Sequence, residues 1–272
     1  MSESTGLLLR LTEILVGISL AIQCLENLRL NAALSDAGVR ARAVLAPDWR
    51  RLPPVLCAGL DWLYQPTPWR VMQALRLLAI VPLLLGCSLT SVVAVLWLSQ
   101  LVIAIRWRGA FNGGSDFMTL TALTGLGLGL LLQTLGLSRG VEFGLYYIAL
   151  HSASSYFISG GVKCFHKEWR NGSALALFLD EGVYGPLGDD HPFRNPTVAT
   201  LVCAAFIGFE LSVLVGLVFT PYMLVFCLLG VGFHFGVFWY LGLNRFVWAW
   251  IATYPSLILL SLTLSSLVHQ SP

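Results

Sequence analysis

The sequence predicts an all-α integral membrane protein, a bundle of about eight transmembrane helices (seven on an alternative count) with interfacial half-helices between them. Three observations predict it. Hydrophobic residues make up 57% of the chain and charged residues 11%, whereas soluble domains carry charge at roughly a quarter of positions. Mean hydropathy is +0.77. Runs free of Asp, Glu, Lys and Arg occupy 77–105, 117–138, 143–162, 211–244 and 246–268. Each is long enough for the roughly 20 residues that cross a hydrocarbon core of about 30 Å. A weaker run at 6–24 is interrupted by Arg10 and Glu13. Residues 1–272 therefore read as a single transmembrane domain with no separate soluble domain.

Taken in order, the first apolar stretch is expected to stay as a helix. Glu13 breaks it, and no small-residue cleavage pattern precedes 26–29, so it lacks the form of a secretory leader. The loop 25–69 holds Pro47, Pro53, Pro54, Pro66 and Pro68 among Trp49, Trp62, Tyr64 and Trp69. Proline breaks helices and indole favours the headgroup level, which predicts an interfacial segment of short half-helices. The run 77–105 is too long for one helix. It is expected to form a tight hairpin broken near Gly86-Cys87-Ser88, its first helix starting around Val71 and taking in Arg76. A single tilted helix there would give the count of seven. Spans follow at 117–138 and 143–162.

The loop 164–195 carries Trp169-Arg170-Asn171-Gly172-Ser173, an apolar stretch at 174–179 and acidic, Gly/Pro-rich turns. It is expected to lie along the membrane surface as a short amphipathic helix. Beyond it, Thr220-Pro221 splits the apolar region into spans near 198–218 and 222–243, and 246–268 closes the bundle. On this count the basic residues of the long loops, from Arg29 through Arg70, Arg106, Arg108 and Lys163 to Arg245, share one face. Only Arg10 and Arg139 fall on the other. Cytoplasmic loops favour Lys and Arg, so the long loops are expected inside, both termini outside, and the protein in a bacterial cytoplasmic (inner) membrane. Basic residues kept for chemistry would give the same pattern.

Several chemistries have no sequence support. The six cysteines form no CxxC and mostly lie in apolar surroundings, and the five histidines form no HExxH or HxxxH pair. They suggest packing between helices, with neither a disulfide framework nor a metal site. Neither GxGxxG nor GxxxxGK[ST] occurs, and a net charge of +2 gives no reason to invoke nucleic acid.

The polar residues inside the spans carry the functional signal. Ser152, Tyr156, Ser159 and Lys163 follow one another at spacings of four, three and four, which places them on one helical stripe. Lipid cannot satisfy hydroxyls or an ammonium, so the stripe is expected to face the protein interior. A lysine at a helix end can also snorkel to the headgroups, and both readings stand at this point. Glu210 lies deep in an apolar helix, where it must be protonated or paired. His234 sits among aromatics at mid-span, and His151 lies one position before the polar stripe. Each can be a neutral histidine donating to a carbonyl. Alternatively Glu210, His234 and Lys163 share a cavity. The linker 106–116 places Arg106 and Arg108 around Trp107 and then runs Asn112-Gly113-Gly114-Ser115-Asp116, the last four residues suiting a plain turn with an N-cap.

Two blocks then resemble a family. Arg108-x-x-x-Asn112-Gly113-Gly114-x-Asp116 is followed two spans on by Tyr156-Phe157-x-Ser159-Gly160-Gly161-Val162-Lys163, then by Trp169 and Asn171-Gly172-Ser173-Ala174. Together with His234-x-Gly236, Leu243-x-x-Phe246 and Tyr254-Pro255, they resemble the HTTM domain, the membrane domain shared with vitamin K-dependent gamma-glutamyl carboxylase. The resemblance runs from about Leu7 to Leu260. It implies a helical bundle with a cavity open at one membrane face. It also implies that Lys163 matches the base that deprotonates a reduced quinone such as vitamin K hydroquinone. A lysine does this only if desolvation leaves its amine neutral.

Arg108, Asn112, Asp116, His151, Tyr156, Trp169, Glu210 and His234 are expected to line the substrate or cofactor pocket. Lys163-Cys164 stands where the carboxylase has a lysine pair, Gly113-Gly114 where it has a histidine nearby, and the chain ends at Pro272 without the carboxylase's soluble region. These departures argue against glutamyl carboxylation itself. Two functions are carried forward. One is a membrane enzyme acting on a quinol or other lipophilic substrate. The other is a non-catalytic factor for maturation or export of a secreted peptide, with a DoxX-like quinone-binding subunit as a further variant of quinone binding.

The charge pattern makes a topological prediction. A reporter fused after Pro272 is expected to be extracytoplasmic and one inserted near Gly188 cytoplasmic. Reverse labelling would mean that the basic residues serve a site instead of reporting orientation.

Overall fold

The structure, a computed structural model, describes residues 3–30, 34–35, 37–38, 41–86, 88–107 and 114–270. All regular elements among them are helical: α1 Glu3–Arg29, α2 Arg42–Trp49, α3 Pro54–Leu63, α4 Pro66–Leu85, α5 Thr90–Arg106, α6 Ser115–Thr134 and α7 Gly140–Phe165. After these come α8 Lys167–Arg170, α9 Ser173–Asp180, a 3-10 turn Pro192–Arg194, α10 Pro196–Leu211, α11 Val213–Val218, α12 Thr220–Leu241, α13 Asn244–Ile251 and α14 Tyr254–Gln270.

Six stretches are long and apolar enough to cross a membrane: Glu3–Arg29, Pro66–Leu85, Ser115–Thr134, Pro196–Val218, Thr220–Leu241 and Asn244–Val268. Between them lie α5, a shorter apolar helix of 17 residues, and α7, of 26. Both pack antiparallel to α6, Trp97 and Gln100 of α5 meeting Thr124 and Asp116, and Gly144 and Gly140 of α7 meeting Gly125 and Gly129. Lipid-facing surface is apolar, with Leu78 68% and Leu228 73% exposed, which suits hydrocarbon and not water.

Helix ends follow local chemistry. The predicted break at 86–88 is present: Gly86 closes α4 in the left-handed region at φ 72°, a conformation that costs glycine little. Arg10 of α1 donates to the Leu83 and Leu84 carbonyls at 3.0 and 2.5 Å, satisfying orphan acceptors of that helix end. Helix α4 starts at Pro66, five residues before the expected Val71. Proline at the first helical position loses no hydrogen bond, so Pro66 begins the helix where the sequence reading saw only a breaker. At 196 the Asn195 side chain accepts from the Thr197 and Val198 amides at 3.0 and 3.2 Å, with Pro196 behind it. Thr220-Pro221 separates α11 from α12 as expected.

The loop 25–69 does hold two half-helices, α2 and α3. Its indoles behave differently from the expectation. Trp49 and Trp69 are buried, packed with Tyr64, Ile103 and Trp107 in a small core of their own, and only Trp62 of the loop's tryptophans faces outward. Mutual edge-on packing of Trp49 and Tyr64, 5.1 Å between centroids, competes successfully with the headgroup level. In the second loop, α9 buries Ala174, Leu175 and Leu179 against α10 and exposes Leu177 and Phe178, an interfacial helix with two apolar sides.

The two largest of the four apolar cores among the described residues meet along α7. Val16, Leu20, Ile80, Leu83, Leu96, Leu123 and Ile148 form one. Val213, Met223, Phe226, Leu257 and Tyr156 belong to the other. Helices α6 and α7 approach closely because Gly125 and Gly129 on one face Gly140 and Gly144 on the other. Small residues four apart let backbones touch where no hydrophobic effect drives association. A Cβ at Gly144 would fall on the Gly125 carbonyl oxygen and 2.7 Å from the Gly129 Cα, atoms that cannot rotate away.

Gly144→Val is therefore expected to destabilise the folded protein by about 3 kcal/mol, the upper end for overpacking. Gly208→Ala, where a Cβ meets open space, is expected to leave stability unchanged. Thermal unfolding in detergent checks both; equal stabilities would refute the backbone-contact reading.

Candidate functional site

The polar stripe of α7 does face the interior, and each of its members finds a partner on another helix. Ser152 bonds Thr253 at 2.8 Å, Tyr156 bonds His234 at 2.6 Å, and Ser159 donates to Glu210 at 3.0 Å. Lys163 Nζ lies 2.5 and 2.6 Å from the two Glu210 oxygens and donates to Ser159 at 2.7 Å. Its side chain is 15% exposed and that of Glu210 5%. The amine thus points along the bundle to a carboxylate, and the snorkelling alternative is not what the structure adopts. Gly160 makes this approach possible, because a Cβ there would press 3.0 Å from Glu210 Cβ and Leu211 Cγ.

Beside the pair lies a cavity of about 260 Å³. Its walls are apolar and aromatic, with Phe178, Phe193, Phe206, Phe233 and Tyr240 among them, and Lys163 is the one charged residue that lines it among the described residues. Trp169 closes one side with its ring 5.0 Å from the Lys163 amine, near enough for a cation–π contact. Glu210 lines none of the wall. Lys163 therefore stands between the carboxylate and the cavity. The loop beyond is held by Asp180, which accepts from Arg194 at 2.9 Å on both oxygens and from the Leu187 amide at 2.9 Å. The Leu187 amide, followed by Arg194, holds the Asp180 carboxyl below the usual carboxylate range.

Next along the stripe, Tyr156 bridges His234 and Tyr254, the second contact being 2.9 Å. Trp250 stacks on the His234 ring at 5.3 Å, and Phe209 and Phe226 enclose Tyr156. His234 is buried, and its Nδ1 meets no partner among the described residues. A chain of three hydroxyl and imidazole groups can pass a proton, although none of the three lines the cavity.

A separate polar centre lies in the other half of the bundle. Asp116 accepts from Arg245 and Gln23, both at 2.6 Å, and Arg245 Nε also pairs with Glu26 at 2.7 Å. Arg76 donates to Gln100 at 2.9 Å, and Trp107 donates to Asn27 at 3.1 Å. Arg76, Arg106 and Arg245 are all at least 97% buried, at 2%, 1% and 3% exposure.

The residues expected to share one pocket are therefore distributed. Lys163 and Trp169 line the cavity, Glu210 backs Lys163, and Tyr156 and His234 form the adjoining relay. Asp116 belongs to the second centre, clamped by Arg245. His151 is exposed toward lipid, its ring 4.4 Å from Tyr147, because it falls one position off the buried stripe. Arg108 and Asn112 lie outside the described residues. The inward-facing arginines were the main omission of the sequence reading, which counted Arg106 and Arg245 as loop charges reporting topology. Gln23 and Asn27, four apart on α1, and Gln73 and Arg76, three apart on α4, were the available signal: polar stripes of the same kind as that on α7.

Comparison with protein-family models, with curated proteins and with solved structures returns no match to this chain.

Removing one partner of a buried pair strands the other, typically at about 3–5 kcal/mol, whereas replacing both by apolar residues is often neutral. Lys163→Met alone is expected to lower stability by about 3 kcal/mol, and Lys163→Met combined with Glu210→Leu to recover most of it. A thermal-unfolding double-mutant cycle measures the coupling, and additive losses would mean that the two side chains do not depend on each other.

Proposed function

We propose that this protein is a membrane-embedded, carboxylase-like enzyme that binds a lipophilic substrate, a quinol in particular, in the cavity beside Lys163, with Lys163 as its general base. The observation that carries the reading is the placement of a single amine at the wall of an aromatic cavity with a carboxylate directly behind it. A cavity just under the roughly 300–1,000 Å³ of drug-sized sites takes a ring system and leaves a tail to the surrounding lipid. The residues fit a quinol in that respect: ring-shaped aromatic walls surround one charged group that can meet a hydroxyl. The resemblance to the HTTM domain supports the same assignment, with vitamin K hydroquinone as the type of cofactor implied and a bacterial cytoplasmic membrane as the setting.

The pair solves the difficulty of using a lysine as a base. An ammonium cannot accept a proton, but Glu210 sits where it can take one from Lys163. The neutral amine then takes the hydroxyl proton of the substrate. At the end Glu210 is a carboxylic acid, Lys163 is again an ammonium, and the anion formed in the cavity lies beside that cation. Net charge in the cavity is unchanged throughout, which matters in a medium that penalises isolated charge. The Trp169 ring adds a further attraction for the ammonium.

A second reading draws on a specific observation: every member of the α7 stripe is already paired across helices, so these groups can serve as clamps alone. The protein is then a non-catalytic factor for maturation or export of a secreted peptide. A DoxX-like quinone-binding subunit uses the cavity without the base.

These readings part on one variant. Lys163→Met with Glu210→Leu is expected to keep the bundle folded, and under the enzyme reading to lose roughly 10²- to 10⁴-fold in activity, measured as complementation of a deletion at matched protein level. Wild-type protein is also expected to yield a quinone on lipid extraction. Full complementation by the double variant would end the case for Lys163 as a base.

A further inference from the structure

The cavity beside Lys163 is covered on the side of the loop that follows α7, where Trp169, Phe178, Leu179 and Phe193 line it. That cover is fastened at both ends. Arg194 grips Asp180 through two bonds of 2.9 Å, and the Val183 amide donates at 3.0 Å to the Tyr240 carbonyl at the end of α12. A route through the cover would have to break these bonds.

Elsewhere the wall is formed by two glycines. Gly232 and Gly236 of α12 line the cavity, four residues apart and so on one face of the helix. Glycine inside a helix is unfavourable relative to alanine, so its presence in a span asks for a reason. At Gly144 the reason is contact with the neighbouring backbone. At Gly232 and Gly236 a Cβ would meet no described atom within 4 Å. What these two supply is space. Gly232 is exposed, and Leu228, about one turn earlier on the same face, is 73% exposed. The row 228, 232 and 236 thus runs from the lipid-facing surface into the cavity. On its inner side the Phe206 and Phe233 rings meet at 5.2 Å, joining α10 to α12 and bounding the passage.

Depth decides what the passage suits. Gly232 stands nine residues before the end of α12, roughly 14 Å along the axis and about half of a 30 Å hydrocarbon core. Lys163 lies near the end of α7, at the shallow end of the same cavity. A molecule with its polar group at the amine and its remainder toward Gly232 has the orientation of a membrane lipid, head at the surface and tail toward the midplane. A volume of about 260 Å³ holds a ring system but not a long tail as well. We propose that the ligand enters sideways from the bilayer between α10 and α12, and that Gly232 and Gly236 keep open the passage in which its hydrocarbon tail lies. The two glycines then select a ring compound with a long prenyl or alkyl tail over its tailless analogue. This inference rests on the reading of the cavity as the ligand site and does not need Lys163 to act as a base.

The test uses full-length protein in phosphatidylcholine nanodiscs, titrated with menaquinone carrying a geranylgeranyl tail or with dimethylnaphthoquinone, which has none. Binding is read as saturable quenching of tryptophan fluorescence, since Trp169 lies in the cavity wall. Wild type is expected to bind the tailed quinone more tightly. Gly232→Phe fills the passage at a position where a side chain meets open space, so the fold is expected to survive. It is expected to weaken the tailed quinone by about tenfold or more, the order of an overfilled packing site, and to leave the tailless one unchanged. Gly208→Phe places the same ring on exposed α10 surface away from the cavity and is expected to bind both quinones like wild type. Unchanged binding of the tailed quinone by Gly232→Phe would overturn the passage while leaving the cavity as the ligand site. Equal loss of both quinones would mean that the ring itself sits at Gly232, and would overturn the tail assignment. Saturable binding of neither quinone by wild type would end the quinol reading and this inference together.

Discussion

Hydrocarbon cannot hydrogen-bond or solvate charge, and this one constraint organises the bundle. The closest ion pairs within the spans, among the described residues, join different helices. Lys163 on α7 and Glu210 on α10 meet in one half. Asp116 on α6, Arg245 on α13 and Glu26 on α1 meet in the other. These contacts join elements separated by tens to hundreds of residues, and they specify which helix faces which more sharply than interchangeable leucines can. Where no polar pair acts, backbone proximity takes over, as in the four glycines of the α6 and α7 interface.

The two polar centres differ in what surrounds them. Around Asp116 the neighbours are amides and guanidiniums, Gln23, Gln100, Arg76 and Arg245, none of which lines the aromatic cavity, while Asp116 Oδ2, Gln23 Oε1 and Arg76 Nε and Nη1 have no hydrogen-bond partner among the described residues. Lys163 instead has one side toward Glu210 and the other toward an aromatic cavity. Only a group that borders a cavity can meet a ligand there. That difference, and not the mere burial of charge, is why the functional reading is built on Lys163 and leaves Asp116 to hold helices together.

Much of the fold was legible from composition and punctuation. The split at 86–88 follows from Gly86 and the split at 220 from Pro221, while the span expected near 198–218 starts at Pro196, where Asn195 caps it. Proline misled the reading at Pro66, since a breaker in mid-helix is an initiator at its first position. The α7 stripe was legible as well, because periodicity alone puts Ser152, Tyr156, Ser159 and Lys163 on one face, and it also leaves His151 outside. The comparable stripes of α1 and α4 went unread. Arg106 and Arg245 look like membrane-edge charges until the structure turns them inward, and Arg76, expected within its helix, is buried with them.

By itself the sequence determined that this is a helical membrane protein, where two of its helix breaks fall, at 86–88 and at 220–221, and which face of α7 must be hidden, because those properties depend on hydropathy and on residues a few positions apart. Only the tertiary structure decided that Lys163 pairs with Glu210, that His234 bonds Tyr156, and that Asp116 belongs to a different centre. Those outcomes depend on how rods distant in sequence cross. A helix presents its stripe to whichever neighbour packs against it, and no local spacing encodes that choice.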